Sequence, residues 1–235
     1  MRPDAAAPAG LAAPRLYEGA VLAAVTGGCR RPGGLELTDR ALSLSSLAPG
    51  ALVLDVGCGD GLAVEHLVER HGLRATGVDP ATALLQAGRR RQPGLDLREG
   101  RAERLPFADA AFDAVLAECS LSLADDPDAA LAECRRVLRD DGLLLVSDVC
   151  RRAATADRRR LFEAHGFGIL VWEDHSGVLA RLVWDIVGRH GSMAAFWREA
   201  GVAPPSATGG LGGLGYFLCV ARRSQGGAGD PGRGD

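Results

Sequence analysis

Three glycines and two carboxylates carry the chemistry that can be read from this chain. The run Leu54-Asp55-Val56-Gly57-Cys58-Gly59-Asp60-Gly61 sits where an apolar segment stops and a helical pattern starts. Gly57, Gly59 and Gly61 let the backbone turn sharply and let a ligand approach with no Cβ in the way. Asp55 puts a carboxylate at the end of an otherwise apolar strand, and a buried charge must be partnered. A cationic amine, or a water bridged to one, would serve. Asp79, in Gly77-Val78-Asp79-Pro80, ends the next predicted strand. A carboxylate there can accept hydrogen bonds from both hydroxyls of a ribose, as dinucleotide folds do for adenosine. With Pro80 at the first helical position, Asp79 also reads as a helix N-cap. The two roles are compatible.

The turn does not have the dinucleotide spacing. NAD sites use G-x-G-x-x-G, with the pyrophosphate on a helix N-terminus. Here the glycines fall as G-x-G-x-G, an acidic residue precedes them, and Asp60 lies inside the turn, where it would repel a pyrophosphate. A ligand with an amine and a sulfonium but no phosphate fits better. An NAD(P)-dependent oxidoreductase is the weaker reading, since a second nucleotide-binding half is also lacking.

The elements that must position these residues alternate from residue 51 onward. ALVLDVG, RATGVDP, LDLREG, AFDAVLAEC and LLLVSDV read as strands. LAVEHLVERHG, ATALLQAGRRR and DPDAALAECRRVLRDDG read as helices, the first with Val64, Leu67 and Val68 on one face. Such alternation implies parallel strands with right-handed crossovers. Apolar runs such as LLLV fit strands covered on both faces. After residue 150 come a helix, the strand GILVW and a helix with Leu179, Leu182, Val183, Ile186 and Val187 on one face. The glycine-rich PPSATGGLGGLG then leads as a loop into a last strand, YFLCVAR. Residues 15–48 read as a helical prelude with Leu16, Ala20, Ala23 and Ala24 on one face, resuming from Asp39 to Leu47 after RRPGG. The expectation is one domain over 15–223 between disordered tails at 1–14 and 224–235. The closing Arg233-Gly234-Asp235 is read as an accident of a Gly-, Arg- and Asp-rich tail.

Composition narrows the partners. The formal net charge is -3, and all 27 basic residues are arginine. They form no single stripe, so a nucleic-acid surface is not expected. No apolar run approaches a membrane span and no signal peptide is seen, so a cytoplasmic protein with reduced thiols is expected. None of the six cysteines forms a C-x-x-C pair, and no metal site is expected.

Four motifs in order, LDVGCGDG, GVDP, GRAERLPFADAAFDAV and RRVLRDDGLLLVSD, resemble the class I S-adenosylmethionine-dependent methyltransferases over about residues 50–150. The branch that includes the ubiquinone and menaquinone C-methyltransferases is the most similar. The resemblance implies a doubly wound, Rossmann-like α/β fold whose seven-stranded sheet is mostly parallel, with an antiparallel last strand and helices on both faces. It implies S-adenosylmethionine as cofactor, with the methionine end at Asp55, Gly57, Cys58, Gly59 and Gly61. It places the ribose on Asp79 and the adenine near Pro80, Ala102 and Glu103. It puts Glu118 and Cys119 beside the sulfonium and the substrate. Arg101 stands where relatives commonly carry an adenine-binding Asp, which leaves Glu103 to replace it. Asp140-Asp141-Gly142 stands for the usual Pro-Gly-Gly turn. By analogy with the family, Tyr17 and RRPGG form a lid.

A small-molecule acceptor is expected, its identity open. Methyl transfer from a sulfonium needs in-line positioning and a dry pocket, and a base only if the acceptor must lose a proton. Glu118 is the first catalytic candidate. His175, in Trp172-Glu173-Asp174-His175, is the general-base candidate, because imidazole titrates near neutrality; it reads equally as a surface imidazole beside two carboxylates. Two alternatives stand beside a methyltransferase. One is a non-catalytic S-adenosylmethionine-binding protein. The other is an arsenite-type, thiol-dependent enzyme if Cys29, Cys119 and Cys150 converge.

Overall fold

The computed structural model describes residues 14–203 and 213–224. The tails, the Arg-Gly-Asp end and most of PPSATGGLGGLG lie outside the described residues. Short helices α1 (Pro14–Glu18) and α2 (Ala20–Val25) and the longer α3 (Gly34–Ser45) precede the sheet. Then follow β1 (Leu52–Val56), α4 (Leu62–His71), β2 (Arg74–Asp79), α5 (Thr82–Arg91), β3 (Asp96–Glu99), β4 (Phe112–Glu118), α6 (Pro127–Val137) and β5 (Leu138–Arg151). The chain continues through α7 (Thr155–Ala164), β6 (Phe167–Asp174), α8 (Gly177–His190), α9 (Met193–Ala200) and β7 (Leu214–Arg223).

The strands form one sheet in the order β3-β2-β1-β4-β5-β7-β6. β1 to β5 pair in parallel, and β7 runs antiparallel to both β5 and β6. From β1 the chain winds outward through β2 and β3, then returns to place β4 on the other side of β1. That reversal opens a crevice at the carboxyl ends of β1 and β4, where open α/β sheets bind ligands.

The apolar strands feed two cores, one on each side of the sheet. Val53, Ala114, Leu116, Leu143 and Leu145 join one cluster; Leu54, Val56, Val115, Ala117, Leu144 and Val146 join the other. Period-2 alternation makes both faces of each strand apolar, as expected for strands covered by helices on both sides. The same parity fixes the polar tips. Asp55 follows Val53 by two, Glu118 follows Leu116 by two, and Asp79 follows Ala75 by four. All three carboxylates therefore belong to the face that α3 and α4 cover, since Leu37, Ala41, Val64 and Leu67 join Val53 and Leu116 in one cluster.

Three local expectations are corrected. The N-terminal prelude does not run on one face, because Gly19 in extended conformation interrupts it and resets the helical phase. Leu16 and Leu22 are buried against Ile186, Phe196 and Trp197, while Ala20 and Ala24 are exposed. Val68 is exposed, although Val64 and Leu67 on the same helix are buried. Asp140-Asp141-Gly142 does not terminate an element. It is an excursion inside β5, between the pairs Phe112↔Leu138 and Ala114↔Leu143, with Asp141 at φ 63°. A bulge of this kind absorbs extra residues without breaking the ladder on either side. Helix α9 had no counterpart in the sequence reading; it closes a small third core with α1, α2 and α8.

Candidate active site

A cavity of about 350 Å³ opens at the crevice, walled by β1, β2 and β4 and by the segment that precedes α3. Its lining includes Asp55, Gly57, Cys58, Gly59, Asp79, Pro80, Ala102, Glu103, Glu118 and Cys119. Tyr17, Cys29, Arg30 and Arg31 complete it from the N-terminal side. The sheet positions the acidic tips and the chain's own N-terminal segment makes the roof.

The glycine turn is held by hydrogen bonds that only this backbone path allows. Asp79 Oδ2 accepts from the Gly59 N–H at 2.8 Å, and its Oδ1 accepts from the Ala81 N–H at 2.7 Å. Each oxygen keeps lone-pair capacity for a second donor. Gly57 has φ 80°, and a Cβ there would stand 2.5 Å from Ser120 Cβ. Alanine at this site would push the β4 loop away, so the glycine sets the approach of the two loops that flank the cavity. Gly61 is not part of the lining. It caps α4 in left-handed conformation, and a Cβ on it would fall 2.8 Å from Leu97 Cδ2. Its place is to let α4 start close to β3.

Asp55 is 3 % exposed and makes no side-chain hydrogen bond among the described residues. Burial pushes its carboxyl up to about 7; Glu118 and Asp79 add to the rise, and Arg31 opposes it. Burial likewise raises Asp79, against the two backbone N–H groups it accepts. Burial raises the thiols of Cys58 and Cys119 too, so neither is a ready nucleophile. An uncompensated carboxylate facing a cavity is a seat for a cation.

Glu118 is the centre of a buried network. Arg31 Nη2 lies 2.6 Å from its Oε2. Thr38 Oγ1, which accepts from Arg31 Nη2 at 2.7 Å, lies 3.0 Å from the same oxygen. Ser147 Oγ donates to Oε1 at 3.3 Å. Side-chain exposures of 9 % for Arg31 and 4 % for Glu118 make this a buried pair. Burial is the largest influence on Arg31 and works against its charge, but Glu118 together with Cys29, Tyr216 and Asp55 outweighs it and the guanidinium pKa is raised. Next to it, Arg30 Nη2 reaches Asp60 Oδ2 at 3.0 Å. Consecutive arginines thus tie the roof to opposite banks, one to the glycine turn and one to β4. Sequence reading placed RRPGG as a lid but missed both partners and Thr38. Replacing Arg31 by Met is expected to lower unfolding free energy by about 3 kcal/mol, because it leaves Glu118 buried and unpaired. Adding Glu118→Gln should recover part of that loss in thermal melts. Equal, additive losses would show that the pair is not coupled.

The remaining candidates fall in different places. Ala102 and Glu103 lie at the rim; Glu103 Oε1 accepts from the Asp125 N–H at 2.8 Å, and Arg101 lies 3.5 Å from Glu103. His175 is not brought to the cavity. Its Nε2 lies 2.8 Å from Glu173, which also pairs with Arg40. β6 does point its carboxyl end to the cavity edge of the sheet, but β7 and β5 stand between it and β4. The three thiols whose convergence would have favoured the arsenite-type alternative do not all meet. Cys29 and Cys119 line the cavity and Cys150 does not; its thiol lies 4.0 Å from Thr155 Oγ1. The only described cluster of three ligand-type side chains in mutual reach contains no cysteine.

A doubly wound sheet with carboxylates at the tips of β1 and β2 and a glycine turn between them defines the class of fold that holds an adenosyl ligand at its switch point. Comparison with known proteins gives the family. Residues 54–146 match the model of a methyltransferase domain. The demethylmenaquinone methyltransferase of Renibacterium salmoninarum is 40 % identical over 100 residues, 43 % of this chain and 42 % of that protein. The malonyl-[acyl-carrier protein] O-methyltransferase of Serratia marcescens is 37 % identical over 112 residues, 48 % of this chain and 44 % of that protein. The chain thus spans less than half the length of these curated relatives. The solved [4+2]-cyclase SpnF is 25 % identical, with a TM-score of 0.74 covering 94 % of this chain and 98 % of that one. Residues 54–146 thus match a methyltransferase domain and are similar to named methyltransferases.

Proposed function

We propose that this chain binds S-adenosylmethionine in the cavity between β1, β2 and β4 and transfers its methyl group to a small organic acceptor. One observation carries the reading: the parity of three neighbouring parallel strands delivers Asp55, Asp79 and Glu118 to one face and one cavity, with backbone N–H groups and a glycine turn among them. The residues fit the cofactor. The open lone pairs of Asp79 suit two ribose hydroxyls, and Asp55 suits the cationic methionine end. Pro80, Ala102 and Glu103 flank the place for the adenine. When bound, the cofactor supplies an electrophilic methyl on a sulfonium.

The chain's own work is positioning and exclusion of water. Arg31 and Glu118 hold the roof shut, and Tyr17 and Cys119 give the wall next to β4 its apolar character. The carboxylate of Glu118 is occupied by Arg31, Thr38 and Ser147. We therefore assign it to anchoring the roof and leave it without a proton-transfer role. The name of one relative, a demethylmenaquinone methyltransferase, supports a small organic acceptor. Among the described residues no helix is long and apolar enough to cross a membrane, and a cytoplasmic location fits the free thiols.

The test pairs titration calorimetry with product detection. S-adenosylmethionine and S-adenosylhomocysteine should bind and NAD should not, and a pool of small metabolites should elicit S-adenosylhomocysteine release. Binding of NAD alone would overturn the reading. Cofactor binding without any turnover would favour a non-methylating role, for which the similarity to a named cyclase gives a precedent of fold.

A further inference from the structure

Helices α3 and α4 bring three ligand-type side chains to one point. Asp39 Oδ1 lies 2.6 Å from His66 Nε2 and 2.7 Å from His71 Nε2. All three ligand atoms fall within 4.8 Å of one another. The imidazoles belong to one helix, five positions apart, and their rings meet edge to face with centroids 5.1 Å apart. They converge because Asp39, on the neighbouring helix, stands between them. The His66 and His71 side chains are 13 % and 30 % exposed, whereas Asp39 is 49 % exposed. The bases are thus held in place on a packed helix, and the open side faces water.

We propose that Asp39, His66 and His71 form a binding site for a divalent transition cation of the zinc type. Two neutral imidazoles and one carboxylate are the donor set such ions take, with solvent completing a four-coordinate shell. Metal–ligand distances of about 2.0–2.2 Å would set the donor atoms roughly 3.3 Å apart. The present spacings require the nitrogens and the oxygen to separate by less than an ångström, within reach of rotamer adjustment at a surface. Without the ion, two ring nitrogens crowd one carboxylate oxygen, and both must carry a proton to hydrogen-bond it. A cation replaces those two protons with one centre.

The site would link cofactor chemistry to the roof. Thr38, one residue before Asp39, contacts Glu118. Helix α4, which carries both histidines, begins at Gly61 where the glycine turn ends. A cation here would pin α3 to α4 and thereby hold the roof against the sheet. No residue of the proposed active site is a ligand, so the ion would act by tying α3 to α4, with no part in the reaction.

The test uses full-length protein carrying no affinity tag. Co²⁺ titration should give the visible absorption of a four-coordinate nitrogen/oxygen site, with one equivalent bound and full displacement by Zn²⁺. Zn²⁺ should raise the melting temperature. Asp39→Asn and His71→Ala, both at the exposed side, should each weaken Co²⁺ affinity at least roughly tenfold, while far-ultraviolet circular dichroism stays unchanged. Undiminished binding in these folded variants would place the ion elsewhere and overturn the proposal, as would a thiolate charge-transfer band. Absence of any saturable binding in the wild-type chain would overturn it as well. These readouts require neither S-adenosylmethionine nor turnover, so failure here and failure of the methyltransferase reading are distinguishable.

Discussion

Asp79→Ala is expected to weaken S-adenosylmethionine binding by about 3 kcal/mol, roughly a hundredfold. Two losses combine. The ribose loses acceptors that charge-assisted hydrogen bonding makes stronger than neutral ones. The glycine turn also loses its brace, since Asp79 accepts from the N–H groups of Gly59 and Ala81. Calorimetry measures the total, and thermal unfolding of the cofactor-free protein isolates the second part. Asp79→Asn should fall between wild type and alanine, because one carbonyl oxygen can serve only one side of the turn. An unchanged dissociation constant in a folded Asp79→Ala protein would detach the ribose from β2 and with it the orientation proposed for the cofactor.

The second large effect is a pH dependence centred on Asp55. Its carboxyl is raised by burial to about 7, with Glu118 on β4 and Asp79 on β2 adding to the rise and Arg31 from the roof opposing it. The raised value means that the folded cofactor-free protein favours the neutral acid. The stability this confers is complete below the ordinary carboxylate range and is lost as pH rises through about 7. A cationic ligand has the opposite preference, for it needs the ionised form. Affinity for S-adenosylmethionine should therefore fall about tenfold per pH unit below that midpoint and level off above it. Binding near neutral pH should release a proton, detectable as a dependence of calorimetric heat on buffer ionisation. Asp55→Asn should flatten the profile. A flat profile in the wild type would remove Asp55 from the cation's seat.

Much of this site is present in the sequence as parity. Once LVLDV, RATGVD and FDAVLAE are taken as parallel strands, Val53 and Asp55, Ala75 and Asp79, and Leu116 and Glu118 must share a face. The strand tips and the glycine turn follow from local pattern. What the pattern could not supply is pairing across long stretches of chain. Arg31 meets Glu118 only because α3, packed on β5 and β7, brings the segment before it to the tip of β4, and nothing near either residue in sequence announces that contact. His175 failed for a related reason. The rule that parallel strands present their carboxyl ends to one edge holds for β6, but the rule does not give the lateral distance. With β7 inserted between β5 and β6, two strands lie between β4 and the strand that His175 follows. Asp39, His66 and His71 were invisible for the same cause, since an aspartate on one helix and two histidines at a five-residue interval on another match no local ligand pattern.

The roof has one more consequence. Cys29, Arg30 and Arg31 wall the cavity from a stretch of chain that precedes every strand of the sheet. The concavity is therefore assembled rather than inherited: strands and crossover helices alone would present a ledge, with three acidic groups lying open to bulk water at its lip. A protein lacking Cys29, Arg30 and Arg31 would lose that wall of the cavity while Asp55, Asp79 and Glu118 stayed at the strand tips. Fold and pocket are separable inheritances in this chain, and the N-terminal helices carry the second.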